Sequence, residues 1–213
     1  MTLWPVLACA VAVALLLVAE RRGSQRGIWI WKPLAAAAFL LAAWQWGAIE
    51  STYGRWILLG LALSACGDVL LIPKSDTSFR LGLVAFLCAH LAYAVAFLTL
   101  PLHAGALAMA GLAIGLVLWR VWRWLAPHLP ASERVPVLCY FGAIGAMGAL
   151  SLGAVAAGFP LVAGLGALGF MASDVSVARE RFVARGFVNS AWGLPLYFGA
   201  QLLLAWSSAA VSP

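Results

Sequence analysis

Residues 56–74 read WILLGLALSACGDVLLIPK, an apolar run from Trp56 to Ile72 that holds one charge, Asp68, and is closed by Pro73 and Lys74. Crossing the hydrocarbon of a bilayer takes roughly 20 apolar residues. This segment therefore reads as a membrane span with an acid near one end. The same grammar extends in both directions. Spans are expected at Leu3–Ala19, Pro33–Ile49, Trp56–Ile72, Leu81–Leu100, Gly105–Trp122, Val135–Ala157, Leu161–Ala178 and Phe187–Ser207. Of the 213 residues, 65% are hydrophobic and 9% charged, with a mean hydropathy of +1.01. A soluble domain carries roughly 25% charged residues to wet its surface, so lipid must be the solvent for most of this chain. The expectation is an all-α polytopic membrane protein: one domain over residues 1–213, a bundle of eight transmembrane helices.

Charge placement orients the bundle. The connections after spans one, three, five and seven collect Arg21, Arg22, Arg26 and Lys32; Lys74 and Arg80; Arg120, Arg123 and Arg134; and Arg179, Arg181 and Arg185. Elsewhere there is only Arg55. By the positive-inside rule the odd connections face the cytoplasm and both termini are non-cytoplasmic. The net charge of +6 thus marks topology, not a nucleic-acid surface. The first segment lacks a basic n-region and is followed by Glu20, Arg21 and Arg22, the reverse of a signal peptide. The expected setting is a bacterial-type inner (plasma) membrane. Trp29, Trp31, Trp56, Trp122 and Trp124 fall at span ends, where amphipathic rings anchor at the interface. Cys9, Cys66, Cys88 and Cys139 lie in apolar runs and read as small core residues. With three histidines and no metal-ligand spacing, a zinc hydrolase is excluded, and no metal or other cofactor is expected.

Two acids stand apart from the other five. Asp68 and Asp174 each precede a basic residue by five or six positions (Lys74, Arg179). Helical rise puts both ~8 Å inside the cytoplasmic boundary. An acid at that depth costs on the order of 2.5 kcal/mol or more to insert, so it must face the bundle interior or a wet cavity. The segments ACGDVLLIP (65–73) and MASDVSVAR (171–179) are alike. Each is followed by a Phe (Phe79, Phe182) and by a span with a central Tyr (Tyr93, Tyr197), a weak parallel repeat of spans 3–4 and 7–8. Two stripes accompany the acids at helical spacing: Phe86, His90, Tyr93 and Phe97, and then Asn189, Gly193, Tyr197 and Gln201. Polar groups on single faces of apolar helices need internal partners. His90, ~15 Å from the Arg80 end, reads as orienting a substrate or partner. Lys32 reads either as snorkelling to water or as binding a lipid phosphate.

These residues also carry a resemblance. Lys32-Pro33, Gly67-Asp68, Phe79 followed by Gly82, Phe86, His90 and Tyr93, then Gly169-Phe170 with Ser173-Asp174, and Tyr197 with Gln201 resemble the YhhN family of lysoplasmalogenases. The likeness covers spans two to four and seven to eight; spans five and six match only in hydrophobicity. It implies an ether hydrolase that cleaves the vinyl ether of a lysoplasmalogen to a fatty aldehyde and glycerophosphoethanolamine or glycerophosphocholine. Such chemistry needs an acid to protonate an alkene carbon, a nearby negative charge and a water. Two carboxyls whose proton affinities are split by environment supply it, so Asp68 and Asp174 are the expected catalytic pair. Which of the two is the acid stays open. Lys32, His90, Tyr93, Asn189, Tyr197 and Gln201 are the expected substrate-binding residues, with the site toward the cytoplasmic side. The expected partners are a lysophospholipid substrate and membrane lipid, without nucleic acid or an obligate protein partner. Two other readings use the same acids: a proton-coupled small-molecule or lipid transporter, and a non-catalytic lipid-binding protein.

Overall fold

The computed structural model describes residues 2–211; Met1, Ser212 and Pro213, the ends of the expected 1–213 domain, lie outside the described residues. Eight long helices follow one another: α1 (Trp4–Arg21), α2 (Gln25–Gln45), α3 (Thr52–Leu70), α4 (Asp76–Leu98), α5 (Ala104–Leu125), α6 (Ala131–Ala156), α7 (Leu161–Ala178) and α8 (Phe187–Ser207). A π-helical turn, Arg179–Val183, continues α7. Seven of the eight are long and apolar enough to cross a membrane. The remaining one, α8, spans 21 residues, but Asn189, Tyr197 and Gln201 dilute its apolarity. It can carry them because it is enclosed by α1, α2, α3 and α7, where polar side chains find partners instead of lipid. The chain is an integral membrane protein.

α2, α3 and α4 start before their apolar runs because capping residues, not hydropathy, set those ends. Ser24, Ser51 and Ser75 each accept a hydrogen bond from a backbone N–H three residues on, satisfying donors that a helix start leaves orphaned. The largest shift is in α2, which begins eight residues before the expected Pro33 and ends at Gln45 instead of Ile49. Pro33 therefore sits inside the helix, and Lys32 lies two turns in from its start instead of opening it. Pro195 likewise lies within an uninterrupted α8; its ring removes one backbone hydrogen bond without ending the helix.

Helix packing defines a ring. α2 packs on α3, α3 on α4, α4 on α6, α6 on α7, α7 on α8, and α8 on α2. α1 lies outside the ring against α2 and α8, and α5 lies outside it against α6. Small residues allow close approach, as is usual where lipid supplies no hydrophobic driving force between helices. A Cβ on Gly67 would stand 2.7 Å from the Phe86 ring, and one on Gly193 would overlap the Ser176 hydroxyl. The main core runs through all the helices except α5, whose Ala110 and Ile114 pack with Ala149 in a separate small cluster.

Contacts at the helix ends fix which connections share a side. Gln25 Nε2 donates to the Ile72 carbonyl (3.2 Å), Arg181 pairs with Asp76 (2.6 Å), and Arg80 pairs with Glu133 (2.9 Å) at one end. Tyr53 and Ser207 hydroxyls meet at 2.7 Å at the other. All the basic residues but Arg55 cluster at the first end. One expectation is corrected: only Cys9 is a core cysteine, while Cys66, Cys88 and Cys139 are exposed on the bundle's exterior. In a membrane protein the outer face is as apolar as the core, so an apolar run does not say which way a thiol points.

Candidate active site

Each helix of the ring sends one polar side chain to a common level near the basic end. α2 supplies Lys32, α3 Asp68, α4 His90, α6 Tyr140, α7 Asp174 and α8 Tyr197. Lys32 Nζ stands 3.3 Å from Asp68 Oδ1, and the Tyr197 hydroxyl donates to Asp68 Oδ2 at 2.7 Å. His90 Nε2 stands 3.2 Å from Asp174 Oδ2, and the Tyr140 hydroxyl donates to the same oxygen at 3.2 Å. Each aspartate is thus held by the helix before it and by a helix from the other half of the chain. Both carboxyls line one pocket of about 60 Å³, with Lys32, Tyr140 and Tyr197 in its wall. The side chain of Asp68 is 3% exposed and that of Asp174 is 15% exposed, so Asp174 is the one open to an incoming group.

The two aspartates differ in partner chemistry. Asp68 has an ammonium on one oxygen and a phenol hydroxyl on the other. Around Asp174 the histidine tautomer decides. His90 Nδ1 lies 2.7 Å from the Phe86 carbonyl, which can only accept, so Nδ1 carries a hydrogen. The Nε2 lone pair would then face a carboxylate oxygen unless one proton lay between them. The pair is close but is not aligned as a hydrogen bond, and Nε2 has no other partner.

Aromatic rings fill the space between the acids. The His90 ring stacks on Phe170 with centroids 4.2 Å apart, and Phe170 meets Tyr197 at 5.5 Å and Phe86 at 6.0 Å. Gly67 and Gly193 keep α3 and α7 near enough to their neighbours for this cage to close. At the rim, Arg181 lies over the Phe79 ring, 4.4 Å from its centroid, and Phe79 packs edge-on against Phe182 in the π-helical turn. π-helical turns are frequent at functional sites.

The remaining expected residues fall into two places outside the pocket wall. Tyr93 and Gln201 are fully buried, and the Tyr93 hydroxyl donates to Gln201 Oε1 at 2.6 Å, bracing α4 to α8. Asn189 does not join them, although it shares the α8 stripe. Its Nδ2 donates to Glu180 Oε2 (2.6 Å) and the Ala184 carbonyl (2.7 Å), and its Oδ1 accepts from Arg179. It ties the π-helical turn to the start of α8. His90 reaches Asp174 directly instead of lying below both acids. Lys32 is 9% exposed and engaged with Asp68, where the sequence suggested snorkelling or phosphate binding. Tyr140 carries no signal in the sequence, since its same-face polar neighbours on α6, Glu133 and Ser151, lie two and three turns away. Only the crossing of α6 and α7 gives it meaning. Among the described residues no cluster of three or more His, Cys, Asp or Glu could hold a metal ion.

A ring of apolar helices around a pocket lined by two carboxyls defines the class: a polytopic membrane protein with polar side chains gathered inside its bundle. The YhhN family matches residues 27–208, and the chain belongs to that family. A Bos taurus protein named lysoplasmalogenase TMEM86A is 32% identical over 158 residues, covering 71% of this chain and 64% of that protein. A Mycobacterium tuberculosis protein named lysoplasmalogenase is 35% identical over 187 residues, covering 80% of this chain and 66% of its own length. An Escherichia coli O157:H7 protein, described as the uncharacterized membrane protein YhhN, is 33% identical over 96 residues, 45% of each chain. The matches with the two lysoplasmalogenases span just under two thirds of those relatives' lengths. No solved structure matches the chain.

Proposed function

We propose that this protein is a lysoplasmalogenase, an ether hydrolase that converts a lysoplasmalogen to a fatty aldehyde and a glycerophospho-alcohol within the membrane. The observation that carries the reading is one pocket with two aspartates in different settings: Asp68 paired with an ammonium at 3.3 Å, and Asp174 facing an imidazole nitrogen at 3.2 Å. The names of the relatives support the same reaction.

The geometry distributes the roles. Asp174 is the general acid. Its proton passes to the β-carbon of the vinyl ether, the ether oxygen shares its electrons, and an oxocarbenium ion forms. Asp68, beside the Lys32 ammonium and the Tyr197 hydroxyl, stabilises that cation, and the faces of Phe86, Phe170 and Tyr197 add cation–π attraction. Water adds to the oxocarbenium carbon and its proton returns to Asp174, restoring the acid. The resulting hemiacetal breaks its bond to the glycerol oxygen, which takes up the hydroxyl proton, and the aldehyde leaves. His90, fully buried, is a positioning residue that acts through Asp174. Proton transfer of this kind contributes roughly 10²–10⁴-fold.

Positive-inside reasoning puts the pocket toward the cytoplasm and the termini outside. The pairing of each aspartate with a helix of the other half supports a duplicated four-helix unit, α1–α4 and α5–α8. The test is aldehyde release by purified protein from lysoplasmenyl-ethanolamine, its saturated ether analogue and its acyl analogue. Aldehyde from the vinyl ether alone, lost in Asp68→Asn and Asp174→Asn, is expected. Folded protein that turns over none of the three refutes the enzyme reading, and transport of intact lipid between vesicles would then take its place.

A further inference from the structure

Beside the small polar pocket lies a second cavity of about 340 Å³, walled by α5, α6 and α7 and lined almost wholly by apolar side chains. Its volume falls in the range of about 300–1,000 Å³ that small-molecule sites occupy. The two cavities share Phe79, Leu83, Tyr140, Asp174 and Val177, so Asp174 stands where a polar compartment meets an apolar one. Val117 (50% exposed), Val177 (37%) and Trp192 (38%) line the larger cavity while facing outward, so it opens on the lipid side of the bundle. The packing explains the opening. α5 rests mainly on α6, reaches otherwise the π-helical turn, and lies outside the ring. A groove is left along α7 between α5 and the Trp192 side of α8.

We infer that this groove binds the single alkenyl chain of the substrate, which enters sideways from the bilayer between α5 and α8. The inference rests on the proposed reaction for the identity of the lipid, but the groove itself is a property of the fold. A vinyl ether is the one bond of a lysoplasmalogen whose two sides differ in this way, with an ether oxygen and glycerol on one side and a hydrocarbon chain on the other. Placed at Asp174, its oxygen side meets the Lys32–Asp68 compartment and its chain lies against α5 and α6. Along α6 the groove runs from Val137 to Ile144, ~10 Å of helical rise. On the opposite wall Val121 and Leu118 narrow it. A lateral path also spares the chain any passage through water.

The experiment uses a lysophospholipid with a saturated ether link, which resists hydrolysis, and a diazirine in mid-chain. It is photolysed with the full-length protein in detergent, with the Asp174→Asn variant in parallel. Labels are expected on the α5 and α6 segments 117–125 and 137–144, suppressed by excess unlabelled analogue, in both proteins. In a second arm, Val121→Trp narrows the groove. Its KM for long-chain lysoplasmalogen is expected to rise about tenfold relative to a short-chain one. Labels on the outer faces of α1 or α2, labels not suppressed by competitor, or no labels at all overturn the groove. So does an equal loss at every chain length. Competed labelling in the groove without aldehyde from any vinyl ether refutes the reaction and leaves the groove standing, so the two failures are distinguishable.

Discussion

Removing Lys32 tests whether Asp68 is a charged carboxylate held by one partner. In Lys32→Met the carboxyl keeps its Tyr197 hydrogen bond (2.7 Å) but loses the ammonium at 3.3 Å, while only 3% exposed. Breaking a buried pair on one side costs roughly 3–5 kcal/mol, and an acid inside a bilayer roughly 2.5–3.5 kcal/mol. A loss of about 3 kcal/mol is expected. At roughly 2–4 °C per kcal/mol for a chain of this size, the melting midpoint falls by roughly 6–12 °C. Asp68→Asn alone should cost less, because the 11% exposed Lys32 can bend toward the basic rim and water. The double variant Lys32→Met/Asp68→Asn removes both charges and should recover most of the loss. Thermal unfolding in detergent, followed by the fluorescence of the 11 tryptophans, reads all four proteins. Unchanged stability in Lys32→Met refutes the buried ion pair, and so does a double variant no more stable than Lys32→Met.

Two other expectations follow from the same geometry. Tyr140→Phe removes a donor to Asp174 Oδ2, and hydrogen bonds to charged groups contribute about 1.5–3 kcal/mol; kcat for aldehyde release should fall roughly ten- to hundredfold with KM little changed, and a KM effect alone would mean that Tyr140 binds instead of tuning the acid. Single cysteines at Arg26 and Arg185, in a variant lacking the four native cysteines, should react with an impermeant maleimide only in inside-out vesicles, and one at Glu50 only in intact cells. The opposite pattern would move the pocket to the outer side.

The sequence alone determined what depends on composition and on period. Apolar runs of span length, broken by basic clusters at every second connection, leave no alternative to a polytopic helical membrane protein. The stripe Phe86, His90, Tyr93 and Phe97 is buried as its spacing requires. Asp68 and Asp174 face inward because a lipid-facing carboxyl is too costly. Partnership was another matter. His90 belongs to Asp174 and Tyr197 to Asp68 because α4 meets α6 and α8 closes the ring, and no spacing along the chain encodes which helix crosses which. Asn189 lies on the same stripe as Tyr197, yet one helical end away it serves the π-helical turn. Lys32 looked like an interfacial cation until Ser24 capped α2 early and drew it two turns inward to Asp68. Helical periodicity is local and survives in the sequence. The different partners of the two carboxyls come from residues 34 to 129 positions away, so only the folded ring decides them.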